Sequence, residues 1–401
     1  MLNNIKKFLV VIISLFFYSN ISYADFKQIK KKAVVNNPEI IFPIPKKLDK
    51  CISNMYVNSQ NNSVLPVIKV DAPSGYGLDN RFMYALNNFE NFKRPCGGGN
   101  VEACENVKRV ILDWAKADAA QRIGAANHEA KHWNDTLTVN LWIASPMMAG
   151  YSFAKQRITV PQEEDKIIKE WFKKIVKKNQ HLMYELNKYK QGTQAAGVPR
   201  SAHNHALSSA ISHMQLGILL NDNKLFRKAF KNYEYAIKFQ RKDGSMPIET
   251  RRGGRAMFYQ GRAMTALTTI AIIAENQGYN IWDYDHKGKN FHNIVKFFID
   301  FTENNVIVFK YAKEMNAPGP AKDYKRQDLD GSSSSHWGWL SAYATRFPNH
   351  ENIQRLKQWS SNDKDLNNYQ RKIVSNFDNY LKRNSGTSSW TVVEPRCHFT
   401  R

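Results

Sequence analysis

The run Ser201-Ala202-His203-Asn204-His205 follows a loop holding Gly197 and Pro199 and opens an apolar-striped helix. Further on, Pro247-Ile248-Glu249-Thr250-Arg251-Arg252-Gly253-Gly254-Arg255-Ala256-Met257-Phe258-Tyr259 leads into another such helix. Both runs put polar side chains at helix starts, where free backbone N–H groups favour anions. Arg251, Arg252 and Arg255 crowd ahead of Tyr259, and a guanidinium offers a planar fork that matches a carboxylate. The chemistry suggested is recognition of an acidic group beside a tyrosine that can exchange a proton. Glu249 is the only acid of the cluster and reads as a partner for arginine rather than as a working acid.

Two other arrangements compete for the chemistry. His128-Glu129-Ala130-Lys131-His132 has the HExxH form, in which histidines four apart on a helix share a face and hold zinc, with Glu129 as base of a zinc protease. Its neighbours Asn127, Lys131, Asn134 and Asp135 are polar where a zinc helix is buried, and no convincing third ligand follows, so a solvated loop or helix end is expected. His203 and His205 form half a metal site with no matching cluster in sequence. Paired-carboxylate hydrolysis fits poorly, because the cluster is cationic. No metal and no cofactor are therefore expected.

The elements that must position these residues are helices. Residues 163–178 place Ile167, Ile168, Trp171, Phe172, Ile175 and Val176 on one stripe. Pro161 and the acids Glu163, Glu164 and Asp165 mark the start of that helix, and Lys173, Lys174, Lys177 and Lys178 suit its end. Similar stretches run over roughly 105–118, 137–157, 205–220, 224–241, 256–277, 289–303 and 364–382. Strand-like alternation is scarce, and Val64 to Val70 is interrupted by Pro66. Short turns such as Asn221-Asp222-Asn223, Asp243-Gly244 and Gly253-Gly254 make consecutive helices antiparallel neighbours. The pattern predicts an all-α fold of helical hairpins, a solenoid or a closed α/α toroid. Residues 25–80 and 315–335 read as irregular, as lids or linkers.

Composition narrows the setting. Lys6 and Lys7, the apolar run Phe8 to Phe17, and Ser22-Tyr23-Ala24 read as a signal peptide over 1–24, removed to leave a chain starting near Asp25. The apolar run is short for a membrane span. A periplasmic or secreted protein is expected, without stable membrane insertion after cleavage. The formal net charge of +23 outside the cytoplasm argues against nucleic acid and suits an anionic polymer. Four cysteines, Cys51, Cys96, Cys104 and Cys397, allow three disulfide pairings and include no CxxC pair.

The two motif segments together resemble the alginate lyase family, polysaccharide lyase family five. That family carries Asn-Asn-His before a helix and then, at similar spacing, Pro-x-Glu-x-basic-Arg-x-x-Arg-Ala-x-x-Tyr. Asn204-His205, Pro247, Glu249, Arg251, Arg252, Arg255, Ala256 and Tyr259 stand in that register. Asn223-Lys224-Leu225-Phe226, Asp243-Gly244 and Trp114-Ala115-Lys116-Ala117-Asp118-Ala119 are also similar. The chain departs from the family at Ala206-Leu207-Ser208, commonly Ser-Tyr-Trp, and at Gln260, commonly His.

The resemblance implies a single domain over 25–401 with the fold of an incomplete α/α toroid. It implies a monomeric polysaccharide lyase that binds an anionic polysaccharide and cuts a uronate polymer, mannuronate-rich alginate by default, through metal-independent β-elimination. Arg252 would neutralise the uronate carboxylate with Asn204 and His205 assisting, and Tyr259 would handle the protons. Arg251, Arg255 and, in a lid-like segment, Tyr76 would contact substrate. The chemistry agrees with that division: removing a proton beside a carboxylate builds negative charge there, which preorganised cations and amides stabilise. In mannuronate the proton and the leaving oxygen lie on one face, so one side chain can serve as base and then acid. Lyase action on another polyuronate, or non-catalytic binding of an anionic polysaccharide, are the alternatives. The resemblance also implies a Cys51–Cys104 disulfide, leaving Cys96 and Cys397, although Cys96 and Cys104 are close enough to close a small Gly-rich loop instead.

Overall fold

A computed structural model describes residues 23–44, 80–120, 143–178, 188, 190–315, 323–329, 334–361 and 366–382. Twelve helices organise them: α1 (Tyr23–Lys32), α2 (Asn80–Gly97), α3 (Val101–Lys116), α4 (Ser145–Lys155), α5 (Gln162–Lys178), α6 (Asn204–Leu219), α7 (Asn223–Phe239), α8 (Ala256–Asn276), α9 (Phe291–Glu303), α10 (Ser334–Arg346), α11 (Glu351–Ser361) and α12 (Asn368–Lys382). Short helical turns at Arg200–Ala202, Pro247–Thr250 and Gly253–Arg255 lie between them. Among the described residues β structure is confined to isolated bridge positions, one of which pairs Lys188 with Pro199.

Packing sorts these helices into two layers. The even-numbered α2, α4, α6, α8, α10 and α12 pack each against the next. The odd-numbered helices lie outside them, with α3 against α4 and α5, α7 against α6, and α9 against α8 and α11. Sequence explains the sorting. α3, α7 and α9 carry one apolar stripe and one polar face, so they bury a single side. In α6 and α8 nearly every residue is buried, and Ser208, Thr265 and Thr269 satisfy their hydroxyls by donating to the carbonyl four residues back. This alternation of inner and outer helices is an incomplete α/α toroid, and one buried core runs from Phe26 to Phe377.

Caps fix where the hairpins turn. Asp222 accepts from Lys224 N and Leu225 N to start α7, Asn100 accepts from Ala103 N to start α3, and Asn290 forms a capping box with Asn293 ahead of α9. Where α8 meets α10, a Cβ on Gly261 would lie 2.5 Å from His336 O, so only glycine lets these helices approach so closely.

Three expectations need correction. Residues 25–80 were read as irregular, yet α1 occupies their start: Phe26 is fully buried and stacks on Tyr284 at 3.9 Å. The strap that follows is sewn down by Gln277, whose Oε1 accepts from Asn36 N and Asn37 N. Within 315–335, the described Gln327 and Asp328 are not loose: they are bonded to the turn ahead of α8. Of the helix expected over 137–157, Ser145–Lys155 is α-helical with Pro146 in its first turn, and 137–142 lie outside the described residues. Finally, Cys104 bonds Cys96, not Cys51: α2 ends at Gly97, Gly99 takes φ +90°, and α3 starts at Val101, so the hairpin brings both cysteines to a Cα separation of 4.7 Å. Cys51, Cys397, Tyr76 and the HExxH run 128–132 lie outside the described residues.

Candidate active site

The two motif segments meet because a small apolar cluster ties them together. Ala195, Val198 and Ala202 from the loop before α6 pack with Ile248, with Tyr235 and Phe239 of α7 alongside. Asn232 Nδ2 donates to Ser201 O at 2.9 Å and fixes the turn that delivers His203. On the other side, Gln327 Nε2 donates to Gly253 O, its Oε1 accepts from Met257 N, and Asp328 N donates to Gly254 O. Gly253 takes φ +56°, a left-handed conformation that glycine adopts freely. The turn between Arg252 and α8 is therefore clamped from outside the motif.

The first residue of α6 is capped from a distance. The cap position, His203, offers no side-chain hydrogen bond to the helix. Glu249 does this instead: its Oε1 accepts from Asn204 N at 2.8 Å and its Oε2 from Asn204 Nδ2 at 2.8 Å. A carboxylate at a helix N-terminus satisfies an orphan N–H and meets the positive end of the dipole. Glu249 is 0% exposed, and Arg252 Nη1 lies 3.9 Å from its Oε2. Burial pushes the Glu249 carboxyl up to about 6, against the opposing pull of Arg252, the Asn204 hydrogen bonds and Arg262.

Arg252 joins the halves of the site. Its guanidinium carbon lies 3.4 Å from the centroid of the Tyr259 ring, close enough for a strong cation–π contact. Its Nη1 also faces His203 Nε2 at 3.4 Å, where Asn204 Nδ2 lies at 3.3 Å. With two donors on Nε2, the His203 proton is assigned to Nδ1. The His203 and His205 rings lie 4.6 Å apart. Both histidines are held well below the ordinary value: for His203 by burial, then His205 and the arginines, and for His205 by burial, then Arg262 and Arg252. They are neutral at physiological pH. Tyr259 is 1% exposed, with Arg262 of the next turn 5.9 Å from its ring.

Asn204, His205, Arg252 and Tyr259 thus form one contiguous cluster. Arg251 and Arg255 do not point their charge at it: Arg251 Nε pairs with Glu314 at 3.2 Å, and Arg255 Nε with Asp328 at 3.2 Å. Three participants were not picked out by sequence reading. His203 was weighed only as half a metal site, Glu249 only as a partner for arginine, and Arg262 not at all, although it stands one helical turn beyond Tyr259. Gln260 has a structural duty: it accepts from Met246 N and donates to Ile294 O. For a metal, His203 Nε2 already faces two donors, and Glu249 is committed to Asn204. Among the described residues no group of three or more His, Cys, Asp or Glu is placed to hold one.

The family model for alginate lyases matches residues 45–309, more than half of the chain. An alginate lyase of Pseudomonas syringae pv. syringae is 28% identical over 189 residues, 46% of this chain and 45% of that protein. An alginate lyase of Cobetia marina is 27% identical over 192 residues with the same shares. The chain thus spans about half the length of the curated relatives it matches. Among solved structures, alginate lyase A1-III from Sphingomonas species A1 superposes with a TM-score of 0.57 at 18% identity, covering 81% of this chain and 92% of that one. A variant of A1-III complexed with tetrasaccharide gives 0.59 at 16% identity, with the same coverage. An alginate lyase from Bacteroides ovatus gives 0.51 at 14% identity, over 85% and 95% of the two chains. At these identities the structural likeness establishes the shared fold.

Proposed function

This chain belongs to the alginate lyase family, and from that premise we propose that it cleaves a uronate polymer, mannuronate-rich alginate first, by β-elimination. The observation that carries this reading is the Arg252 guanidinium lying 3.4 Å over the Tyr259 ring, with the neutral His203 and His205 and the Asn204 amide beside it. A cation, a phenol and uncharged imidazoles set together are suited to a step that builds negative charge on a carboxylate.

In the proposed step Arg252 pairs with the uronate carboxylate while Asn204 and His205 flank it. The oxygen of Tyr259, acting as phenolate, takes the proton from C5 and becomes the phenol. The electrons of that C–H bond form a C4=C5 double bond, the C4–O4 bond breaks, and the departing oxygen receives a proton from Tyr259. Arg262, 5.9 Å from the Tyr259 ring, adds positive charge nearby. The arginines supply the charge that a metal ion supplies elsewhere, so the step is proposed to run without metal. Arg251 and Arg255 would reach the polymer by exchanging Glu314 and Asp328 for substrate carboxylates, and Tyr76 is proposed as a further contact. One domain over 25–401 is supported by the continuous core. Export to the periplasm or beyond as a monomer, after cleavage of residues 1–24, accords with the leader-like sequence and the net charge of +23. Among the described residues no helix is long and apolar enough to cross a membrane.

The test is to incubate the purified protein with polymannuronate, polyguluronate and polygalacturonate and follow the ultraviolet absorbance of the unsaturated product. The proposal predicts product from all susceptible polymers through elimination, fastest with polymannuronate. New reducing ends without that absorbance would mean hydrolysis and would overturn it. No cleavage of any of the three would favour a binding protein.

A further inference from the structure

α8 is buried along almost its whole length, and one side chain departs from that pattern. From Ala256 to Ala274 every residue is buried except Phe258. Its ring is partly exposed beside that of Tyr259, with the two centroids 5.3 Å apart at 89°. A single exposed apolar side chain is ordinary on a protein surface. This one is framed by cations: the Arg255 guanidinium carbon lies 5.8 Å from its centroid, and that of Arg262 lies 5.4 Å away. Positions 255, 258 and 262, three and four apart, share one face of the helix. The His336 ring, 2% exposed at the start of α10, lies against Phe258 at 4.8 Å and 44°. α10 comes this near because Gly261 has no side chain: a Cβ there would lie 2.9 Å from His336 Cβ. Helix packing thus holds an apolar ring in place at the edge of the cationic cluster.

A uronate is amphipathic in the same way as this wall. Its ring C–H bonds make an apolar face, and its carboxylate is an anion. Ligand sites are built of apolar and aromatic walls with a few placed polar groups. Resting on the lyase reading, we propose that Phe258 is a specificity-determining residue, the floor of a subsite for the sugar next to the one that loses its proton. The phenyl ring takes the C–H face of that neighbouring sugar. Arg255, released from Asp328, pairs with its carboxylate, and Arg262, close to both rings, attracts both sugars. His336 keeps the Phe258 ring from turning away. The order follows from the chain: Phe258 and Tyr259 are adjacent, so a sugar seated on the first brings its linkage to the second. A polymer without carboxylates offers nothing to Arg255 and is taken poorly.

The experiment measures kcat and KM on polymannuronate, and binding of the same polymer by titration calorimetry. It compares the parent with Phe258→Leu, Phe258→Ala and Phe258→Tyr, with thermal unfolding as the fold control. Phe258→Leu keeps apolar bulk against the core and loses the flat face. It is expected to raise KM and weaken binding by on the order of 10-fold, the scale of losing a stacked ring, while kcat changes little. Phe258→Ala should lose at least as much, and Phe258→Tyr, which keeps a ring, should stay near the parent. A Leu variant with the parent's KM and affinity overturns the proposal, because packing alone would then explain the ring. A lowered kcat at unchanged KM also overturns it, since Phe258 would then serve only to seat Tyr259. If Phe258→Ala does not fold, the Leu and Tyr variants decide in the same way. A parent that binds but makes no unsaturated product fails the lyase reading, and calorimetry then decides the subsite: weaker binding by Phe258→Leu supports it, and equal binding overturns it. A parent that neither binds nor cleaves overturns both.

Discussion

Two tyrosines of this protein sit among histidines, and their surroundings are opposite. Tyr259 lies under Arg252, near Arg262, with two neutral histidines close by and Glu249 bound to Asn204. Tyr343, on α10, meets His292 Nδ1 at 2.8 Å and accepts from Asn352 Nδ2 at 3.3 Å. His292 Nε2 faces Asp283 at 3.6 Å, and the His350 ring stacks on His292 at 4.4 Å. Burial, with Glu351 and Asp283 nearby, holds the Tyr343 phenol above its ordinary value. One cluster is cationic and is built at helix starts from segments far apart in sequence. The other is balanced by acids and closes the α9–α10–α11 corner. A tyrosine beside a histidine is thus no sign of catalysis by itself; the sign of the surrounding charge separates the two.

Arg252→Ala should separate the clusters most sharply. It removes both the charge that meets the carboxylate and the group seated on Tyr259, so kcat and binding should weaken together. Losing a preorganised donor and a charged hydrogen bond combine to on the order of 10⁴ in kcat/KM. His292→Ala, by contrast, should lower stability and leave the kinetics of the folded fraction near those of the parent. Kinetics as badly impaired in His292→Ala as in Arg252→Ala would erase the distinction drawn between the sites.

Acid should act next in size, on stability. His203 and His205 are held below the unfolded value of 6.5, so the unfolded chain binds protons that the folded site refuses. Their contribution is fully present above about pH 6.5 and is lost as pH falls, by up to about 1.4 kcal/mol per pH unit for each histidine. Glu249 acts in the other direction: raised from 4.5 to about 6, it contributes below 4.5 and loses that contribution as pH rises through about 6. The histidines outnumber it, so Tm should drop on acidification from about pH 7 to about pH 5. His203→Asn should flatten that dependence more than His350→Asn, since His350, also held low by burial and His292, is partly exposed. Equal flattening would show that the two histidine sites are electrostatically alike.

The smallest effect expected is that of a chelator. With arginines in the role of the cation, EDTA should leave the initial rate unchanged, measured by product absorbance before and after dialysis. Loss restored by zinc or calcium would return attention to His128, Glu129 and His132 or to a metal-dependent step.

The helices and the candidate site were legible in the sequence to different depths. The stripes of α3, α5, α7 and α9 could be read because each buries one face. α6 and α8 were readable as long apolar runs opening on the two motifs. α2, with Pro95 inside it, and α10, which mixes serines, histidine and tryptophans, have no such stripe and went unread. That Asn204, His205, Arg252 and Tyr259 are candidates was legible because their spacing follows a family pattern. The duty of Glu249 was not, since capping a helix 45 positions away is a tertiary event. The Cys96–Cys104 bridge was legible only as an option, because loop length alone does not choose among pairings.

The central claim is that the cationic cluster around Tyr259 carries the reaction, and removing one oxygen from each tyrosine tests it most directly. Turnover of polymannuronate, followed by the absorbance of the unsaturated product, is compared for the parent, Tyr259→Phe and Tyr343→Phe, with each variant checked for native Tm. Tyr259→Phe should bind the polymer and fold as the parent does yet lose on the order of 10² to 10⁴ in rate, while Tyr343→Phe stays within a few-fold. Turnover by Tyr259→Phe comparable to the parent would contradict the account.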